Sequence, residues 1–150
     1  SRYGCSIMED YGQVNYEVSD LELFLTQQSD LNFEWGWNDC NTFIVKYVDW
    51  VKGTNIISEV KGKYWDAKSA FRFTRDYKKL DAGLEEQGFE QAEELQDGDI
   101  VTFVKNGFVC GHIYAYNRMH SMDTDHGYMS IPSNQVNINH PDLKIWRYNG

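Results

Sequence analysis

Cysteine and proline are scarce in this sequence. The three cysteines, Cys5, Cys40 and Cys110, are an odd and widely spaced set, which argues against a disulfide framework and suits a reducing compartment. The two prolines and the glycines are spread out, so no segment has the composition of a linker. At 150 residues and 41% hydrophobic, the chain can bury one core without disulfides or metals. We expect a single domain over residues 1–150.

Lysine and arginine are also too few to form a basic face. The formal net charge is −9, so no surface is available to neutralise phosphate groups, and anionic lipid would repel the chain. No apolar run approaches the ~18 residues that a membrane-spanning helix needs. The opening SRYGCSIMED lacks the basic and then apolar layout of a signal peptide. We therefore expect a soluble mature chain with no nucleic-acid partner and no membrane insertion.

Helical spacing of apolar residues predicts three helices in the first half of the chain. In SDLELFLTQQSDL, Ser19 followed by Glu22 is typical of a capping box and predicts a helix over residues 20–29. The second helix has Asn38 or Asp39 as its N-cap, and Gly53 ends it. Its apolar face consists of Phe43, Ile44, Tyr47, Val48 and Val51. The third is predicted within residues 66–80, with Asp66 as its cap and Ala67, Ala70, Phe71 and Tyr77 on its inner side.

After Asp99 the apolar spacing changes to alternation, which predicts strands. Residues 81–99 are expected to form loop and turn. IVTFV, the turn KNG and FVCGHIYAY predict a hairpin, and shorter strands are predicted at MHSMD, GYMSI and KIWRY. QVNYEV, at residues 13–18, also alternates like a strand. Helices followed by antiparallel strands predict the α+β class.

Cys40 is the first candidate for chemistry, since it falls in the first turn of the second predicted helix. It shares the inward face of that helix with Phe43 and Ile44. A helix N-terminus lowers a cysteine pKa, and the thiolate is the nucleophilic form. His112, in the predicted strand CGHIYAY, is the best candidate to act as base and then as acid. The backbone N–H of Cys40 is the natural oxyanion donor.

Three motifs resemble the NlpC-type branch of the papain-like cysteine peptidases. WNDCNTFIVKYV is followed by LQDGDIVTFVKNGFVCGHIYAYN, which gives the order of that group: an Asp-Cys pair opening a helix, a Gly-Asp turn before a strand, and a His at the start of an apolar strand. The matching residues are Asp39, Cys40, Gly98, Asp99 and His112. Small phage-encoded proteins of the group share a WG..DC helix start and a late WR strand, matched here by WGWNDC and IWRY. The resemblance covers about residues 33–148.

This resemblance implies a papain-like fold, with N-terminal helices and the Cys40 helix packed on a C-terminal antiparallel sheet that carries His112. It implies a cysteine peptidase or amidase that attacks an amide bond with the Cys40 thiolate and uses no cofactor or metal. The implied substrates are peptides of bacterial peptidoglycan. The implied location is a phage virion, with other virion proteins as partners, or the host cytoplasm.

Members of that group use a third polar residue to orient the imidazole, and two candidates remain open here. MHSMD resembles the family's next strand, which favours His120, and a three-residue turn at residues 117–119 would place His120 on the face of His112. A two-residue turn at residues 117–118 would instead pair His112 with Asp123 across the ladder.

Two other functions compete with hydrolysis. The first is a non-catalytic structural or assembly module of a phage particle, in which the papain-like site has degenerated. Asp39 beside Cys40 fits this alternative, because an unpaired carboxylate opposes thiolate formation. The second is a zinc site, for which the candidate ligands are Cys110, His112, His120, Asp123, Asp125 and His126. The spacing of these residues matches no zinc motif, so we favour the absence of a metal.

Overall fold

Helices and strands are described here for residues 19–150, which is the part of the chain that this computed structural model describes. Its helices are α1 (Asp20–Ser29), α2 (Cys40–Lys52), α3 (Ile57–Val60), α4 (Ala67–Asp76) and α5 (Leu80–Glu86). Its strands are β1 (Glu90–Ala92), β2 (Ile100–Lys105), β3 (Phe108–Ala115), β4 (Arg118–Asp123), β5 (Gly127–Pro132) and β6 (Lys144–Arg147). The strand-like alternation predicted at residues 13–18 lies outside the described residues.

Side-chain caps start the three longest helices where the sequence predicts them. The Ser19 hydroxyl accepts the Glu22 N–H at 3.1 Å at the start of α1. Asp39 caps α2, and Asp66 caps α4. Gly53 ends α2 with a φ of 73°, a left-handed conformation that glycine adopts without steric cost. All three predicted helices are therefore confirmed.

The inner face of α4 differs from the prediction. Its predicted inner residues are Ala67, Ala70, Phe71 and Tyr77, of which only Ala70 is buried. Phe71 is 42% exposed, whereas the ring of Phe73 packs against Tyr64 with centroids 5.5 Å apart. Residues two apart lie on different sides of a helix. The segment AFRF offers a phenylalanine on either side, and packing against Tyr64 selects Phe73.

All six strands join one antiparallel sheet in the order β1-β6-β2-β3-β4-β5. Helices followed by an antiparallel sheet confirm the α+β class. The loop and turn predicted over residues 81–99 is partly wrong, because this segment contains most of α5 and all of β1. α5 has no side-chain cap, and β1 is a three-residue edge strand that pairs with the distant β6. Neither element leaves a clear local pattern.

The hairpin between β2 and β3 forms as predicted at KNG. Its turn residues Asn106 and Gly107 have φ values of 53° and 78°, as a two-residue turn with two left-handed positions requires. The ladder pairs Phe103 with Cys110 and Val101 with His112. Because strand side chains alternate, Cys110 and His112 point to the same face of β3.

The turn between β3 and β4 lies one residue earlier than predicted. It consists of Tyr116 and Asn117, with φ values of 53° and 62°, so both predicted turns that begin at Asn117 are wrong. The resulting ladder pairs Ile113 with His120. Directly paired residues share a face, and a shift of one residue exchanges the two faces. His120 therefore lies on the opposite face of the sheet from His112.

Helix α2 packs directly on β3 because one strand position has no side chain. A Cβ atom on Gly111 would lie 2.5 Å from Cγ1 of Ile44 and 2.8 Å from Cδ2 of Leu80. Ile44 belongs to the main core, together with Phe43 and Ile113. α2 therefore packs on the face of β3 that carries Gly111 and Ile113.

Candidate functional site

The buried Asp39 carboxylate fixes the start of α2. Its Oδ1 accepts the N–H groups of Asn41 and Thr42, each at 2.9 Å, and its Oδ2 accepts the Gly36 N–H at 2.7 Å. The Thr42 hydroxyl in turn accepts the Asp39 N–H at 2.8 Å. These bonds satisfy donors that a helix start leaves free. They also set the direction in which the Cys40 thiol leaves the helix.

The thiol of Cys40 interacts with Cys110 of β3, since each of the two thiols shifts the pKa of the other. Both cysteines are free and half-buried. The Cys110 thiol donates weakly to the Phe108 carbonyl at 3.9 Å. His112 lies two residues further along the same face of β3, about 7 Å along the strand. The Cys40 thiol is therefore linked through Cys110 to the strand that carries His112.

The two thiols are shifted in opposite directions. The hydrogen bond to Cys110, followed by burial, raises the pKa of the Cys40 thiol well above its ordinary value, and the negative charge of Asp39 adds to the rise. The N–H groups at the helix start act in the opposite direction but do not prevail. The same hydrogen bond lowers the pKa of Cys110, and the charge of Lys105 assists. The expected low pKa of Cys40 is therefore wrong for this state of the protein.

His112 is held as a neutral imidazole. Burial lowers its pKa to about 4, although the negative charge of Asp123 opposes the shift. Its ring packs against Phe103, with centroids 5.0 Å apart. The Nδ1 atom is buried and has no hydrogen-bond partner. A buried polar atom without a partner costs about 1–3 kcal/mol, so this nitrogen is poised to accept a bond or a proton.

This imidazole should make the protein acid-sensitive. In the unfolded chain His112 is protonated near the ordinary histidine pKa of 6.5, whereas in the folded chain its pKa is about 4. The unfolded state therefore binds more protons in this window, and stability falls as the pH is lowered through it, by on the order of 3 kcal/mol. In urea unfolding at several pH values, the free energy of unfolding of His112→Met should depend clearly less on pH than that of the wild type. An equal pH dependence would contradict a neutral His112.

His120 is a fully bonded structural residue. Its Nε2 is 3.2 Å from the Ala115 carbonyl, and its Nδ1 is 2.6 Å from the Tyr128 hydroxyl. Because a carbonyl only accepts, Nε2 carries the proton, and Nδ1 accepts from Tyr128. Burial lowers the His120 pKa, which adds to the acid sensitivity in the same direction. With both nitrogens occupied on the other sheet face, His120 is not placed to orient His112.

Asp123 is the better-placed of the two third-residue candidates, although its predicted direct pairing with His112 is not observed. By the alternation along β4, it lies on the sheet face opposite to that of His120, which is the face of His112. Its carboxylate accepts the His126 ring Nδ1 at 2.8 Å and the Asp125 N–H at 3.1 Å. Partial burial opposes ionisation, but these bonds hold the Asp123 pKa below its ordinary value. Asp123 acts on His112 by charge, without a hydrogen bond.

A cavity of about 280 Å³ lies among α2, α3, α4 and α5. Its walls are mostly apolar and include Val45, Val60, Phe73 and Leu84. Asn41, the residue after Cys40, reaches it, but Cys40 does not line it. The cavity is therefore a neighbour of the thiol pair and not a part of it.

The zinc alternative finds no support in the described part of the chain. Among residues 19–150, no three His, Cys, Asp or Glu side chains are grouped closely enough to hold a metal ion. The candidate ligands are divided instead: His120 bonds to Ala115 and Tyr128 on one face of the sheet, while Cys110 and His112 lie on the other. Over the same range, no helix combines the length and the apolar character needed to cross a membrane.

Cys110 is the site residue that sequence reasoning places wrongly. The sequence brings it forward only as a possible metal ligand, because Cys and His two residues apart share a strand face. A further signal is the glycine between them, because Gly111 lets α2 approach this strand closely.

The comparisons with known proteins place the chain in a family without assigning it an activity. The sequence pattern described as Domain of unknown function (DUF6950) matches residues 16–139, which includes Cys40, Cys110, His112 and Asp123. No curated protein matches the chain. The function must therefore be argued from the site itself.

Proposed function

We propose that this chain, which belongs to the DUF6950 family, is a cysteine hydrolase of papain-like architecture that attacks an amide bond with Cys40. One observation carries the proposal: the Cys40 thiol, in the first turn of α2, interacts with Cys110, which lies two residues before His112 on β3. A nucleophile on a helix start beside an imidazole on a facing strand is the arrangement that thiol catalysis needs.

The roles follow from the chemistry of the three side chains. Nδ1 of His112, which has no partner, takes the proton from the Cys40 thiol as the sulfur attacks the carbonyl carbon. The Cys40 N–H at the helix start donates to the oxyanion. His112 then gives the proton to the leaving amine, and water hydrolyses the thioester. The Asp123 charge, which raises the pKa of His112, stabilises the imidazolium.

The resting site is not yet a thiolate–imidazolium pair. Cys40 is protonated because the interaction with Cys110 and burial raise its pKa, and His112 is neutral because it is buried. Catalysis therefore requires Cys40 to leave Cys110 and to meet His112 when substrate enters. The resemblance to NlpC-type enzymes supports peptides of bacterial peptidoglycan as the substrate and a phage particle as the setting.

Alkylation of Cys40 by iodoacetamide across pH tests this proposal without knowledge of the substrate. We use Cys5→Ser as the background and follow each cysteine by peptide mass spectrometry. Cys40 should alkylate with an apparent pKa above the roughly 8.5 of a free thiol. Cys110→Ala should lower that pKa, because it removes the largest cause of the rise. Adding His112→Ala should raise it again, because the imidazole no longer stabilises the thiolate.

The controls separate the hydrolase from the alternative. Cys40→Ser should abolish labelling at position 40 and any release of dye from labelled peptidoglycan. If adding His112→Ala to Cys110→Ala leaves the pH profile of Cys40 alkylation unchanged, the imidazole does not stabilise the thiolate, and the hydrolase proposal fails.

A second candidate function is a non-catalytic structural or assembly module of a phage particle. One observation favours it: in the resting site, the raised pKa of Cys40 and the lowered pKa of His112 leave the thiol and the imidazole both uncharged. This candidate gains support if Cys40→Ser and His112→Ala leave peptidoglycan dye release at the level of buffer alone while wild type also gives none.

A further inference from the structure

The cavity among α2, α3, α4 and α5 has a volume of about 280 Å³. At roughly 30 Å³ for each non-hydrogen atom, as for water in the liquid, this is room for a molecule of about nine such atoms. Its inner wall is one face of α2, because Asn41, Val45 and Val48 follow each other at helical spacing. Buried Val60 and Leu84 add to its apolar sides. Walls of this kind favour a small apolar ligand over an ion.

Two of the residues that line the cavity carry a buried polar atom without a hydrogen-bond partner among the residues that the structure describes. These atoms are Oδ1 of Asn41 and the hydroxyl oxygen of Tyr64. The two residues are only 5% and 2% exposed. A buried polar atom without a partner destabilises the folded protein, and an amide oxygen can only accept a hydrogen bond. A ligand with an O–H or N–H donor would therefore supply what Asn41 lacks.

A glycine in α5 leaves room on another side of the cavity. Gly83 lies in the middle of α5 and lines the cavity. Its conformation is helical, so the backbone does not require a glycine there, and glycine weakens a helix relative to alanine. A Cβ atom would meet only the Lys78 side chain, at 3.5 Å, which is ordinary contact. The position can therefore accept a side chain, and a large one would take up space in the cavity.

Charged side chains mark the exposed end of the cavity and balance each other. They are two glutamates and two lysines, all exposed or half-buried: Glu59, Lys78, Lys79 and Glu86. Lys78 pairs with Glu86, and the Tyr77 hydroxyl donates to Glu59 at 3.0 Å. Because the two signs are equal in number, this end attracts neither anions nor cations strongly. An uncharged ligand is again favoured.

We propose that this cavity binds a small, uncharged and mostly apolar molecule that carries one N–H or O–H donor. The apolar body of the ligand lies against Val45, Val60 and Leu84, and its donor bonds to Oδ1 of Asn41. The proposal does not depend on hydrolase activity, since neither Cys40 nor His112 lines the cavity.

Indole and benzofuran are matched probes of this site, because they have the same bicyclic shape but only indole carries an N–H. Isothermal titration calorimetry on the whole chain should show that both bind, with indole roughly tenfold tighter, because its donor reaches a buried acceptor without a partner. Asn41→Leu keeps the branching of the side chain and removes the acceptor, so it should bring the two affinities together. An indole preference that survives in Asn41→Leu would overturn the proposal, as would wild-type protein that binds neither probe at its solubility limit.

Two further variants establish where the probes bind. Gly83→Leu and Val45→Trp fill the cavity from different sides, and each should abolish binding of both probes. Val104→Trp, at a position of β2 that is 46% exposed, is the matched control and should bind them as wild type does. Urea unfolding identifies the variants that fold. Wild-type affinity in a folded Gly83→Leu or Val45→Trp would overturn the proposal, because the probes would then bind elsewhere. None of these readouts uses hydrolytic activity, so the two proposals can fail separately.

Discussion

Replacing Asp39 by alanine is expected to lower the free energy of unfolding by about 5 kcal/mol, because it strands three backbone donors at roughly 1–3 kcal/mol each. These are the N–H groups of Gly36, Asn41 and Thr42, all bonded to a carboxylate that is 1% exposed. Gly36 cannot move toward another acceptor, because it lies tightly against Tyr64. A Cβ there would lie 2.1 Å from the Tyr64 carbonyl oxygen. Urea unfolding at neutral pH measures the loss.

Asp39→Asn is the matched control for the cap. Its amide oxygen can keep the two bonds into the first turn, but its NH₂ group would face the Gly36 N–H, so this variant should lose less stability than Asp39→Ala. It also removes a charge that raises the Cys40 pKa, and iodoacetamide should therefore react with Cys40 at somewhat lower pH. A loss as large as that of Asp39→Ala would show that the charge, and not the cap geometry, carries the stability.

The Asp-Cys motif thus has a structural explanation. Asp39 does not act on the Cys40 thiol as a base or as an orienting group; it caps the start of α2, where Cys40 lies. Helix starts and ends of this kind could be predicted from sequence, because Ser19, Asp39, Asp66 and Gly53 act through neighbours within a few residues. The α+β class followed in the same way from local periodicity.

The register of the β3–β4 hairpin could not be predicted, and the predicted position of His120 relative to His112 was wrong as a result. Its turn places Tyr116 and Asn117 at positive φ without a glycine, so the usual signal of a two-residue turn is absent. His120 lies on the other sheet face from His112 because the turn has two residues, whereas the prediction that paired their faces needed three. The local sequence therefore indicates the position and length of this turn only weakly.

The interaction between Cys40 and Cys110 could not be predicted for a different reason. It depends on how α2 packs on β3, which includes the close approach at Gly111. Packing between residues 70 positions apart leaves no pattern in the sequence around either cysteine. The sequence predicted the helix of Cys40 and the strand of His112, but not the interaction with Cys110.

The other two motifs that carry the resemblance meet each other in the fold. Asp99, from the Gly-Asp turn, accepts Nε and Nη2 of Arg147, from the WR strand, at 2.9 and 2.7 Å. Asp99 also accepts the Gln96 N–H at 2.8 Å, and its side chain is 3% exposed. The preceding Gly98 carbonyl accepts the Tyr47 hydroxyl of α2 at 2.8 Å. The two motifs thus connect β2 and β6 to α2, the helix that carries Cys40.

Asp99→Ala is therefore expected to lower the free energy of unfolding by about 4 kcal/mol, since it removes two charge-assisted bonds from Arg147 and the carboxylate that accepts the Gln96 N–H. Arg147→Met should also destabilise, because it leaves the Asp99 carboxylate buried without its cation. The double variant should lose less than the sum, because the stranded carboxylate is then gone. Additive losses in urea unfolding would mean that the two residues act separately.

Arg147→Lys should recover only part of the loss of stability, because a single ammonium group cannot reproduce the two-pronged contact of the guanidinium. If these variants also leave the Cys40 alkylation profile unchanged, then the Gly-Asp and Trp-Arg motifs mark the fold of this family, and only Cys40, Cys110 and His112 mark its chemistry.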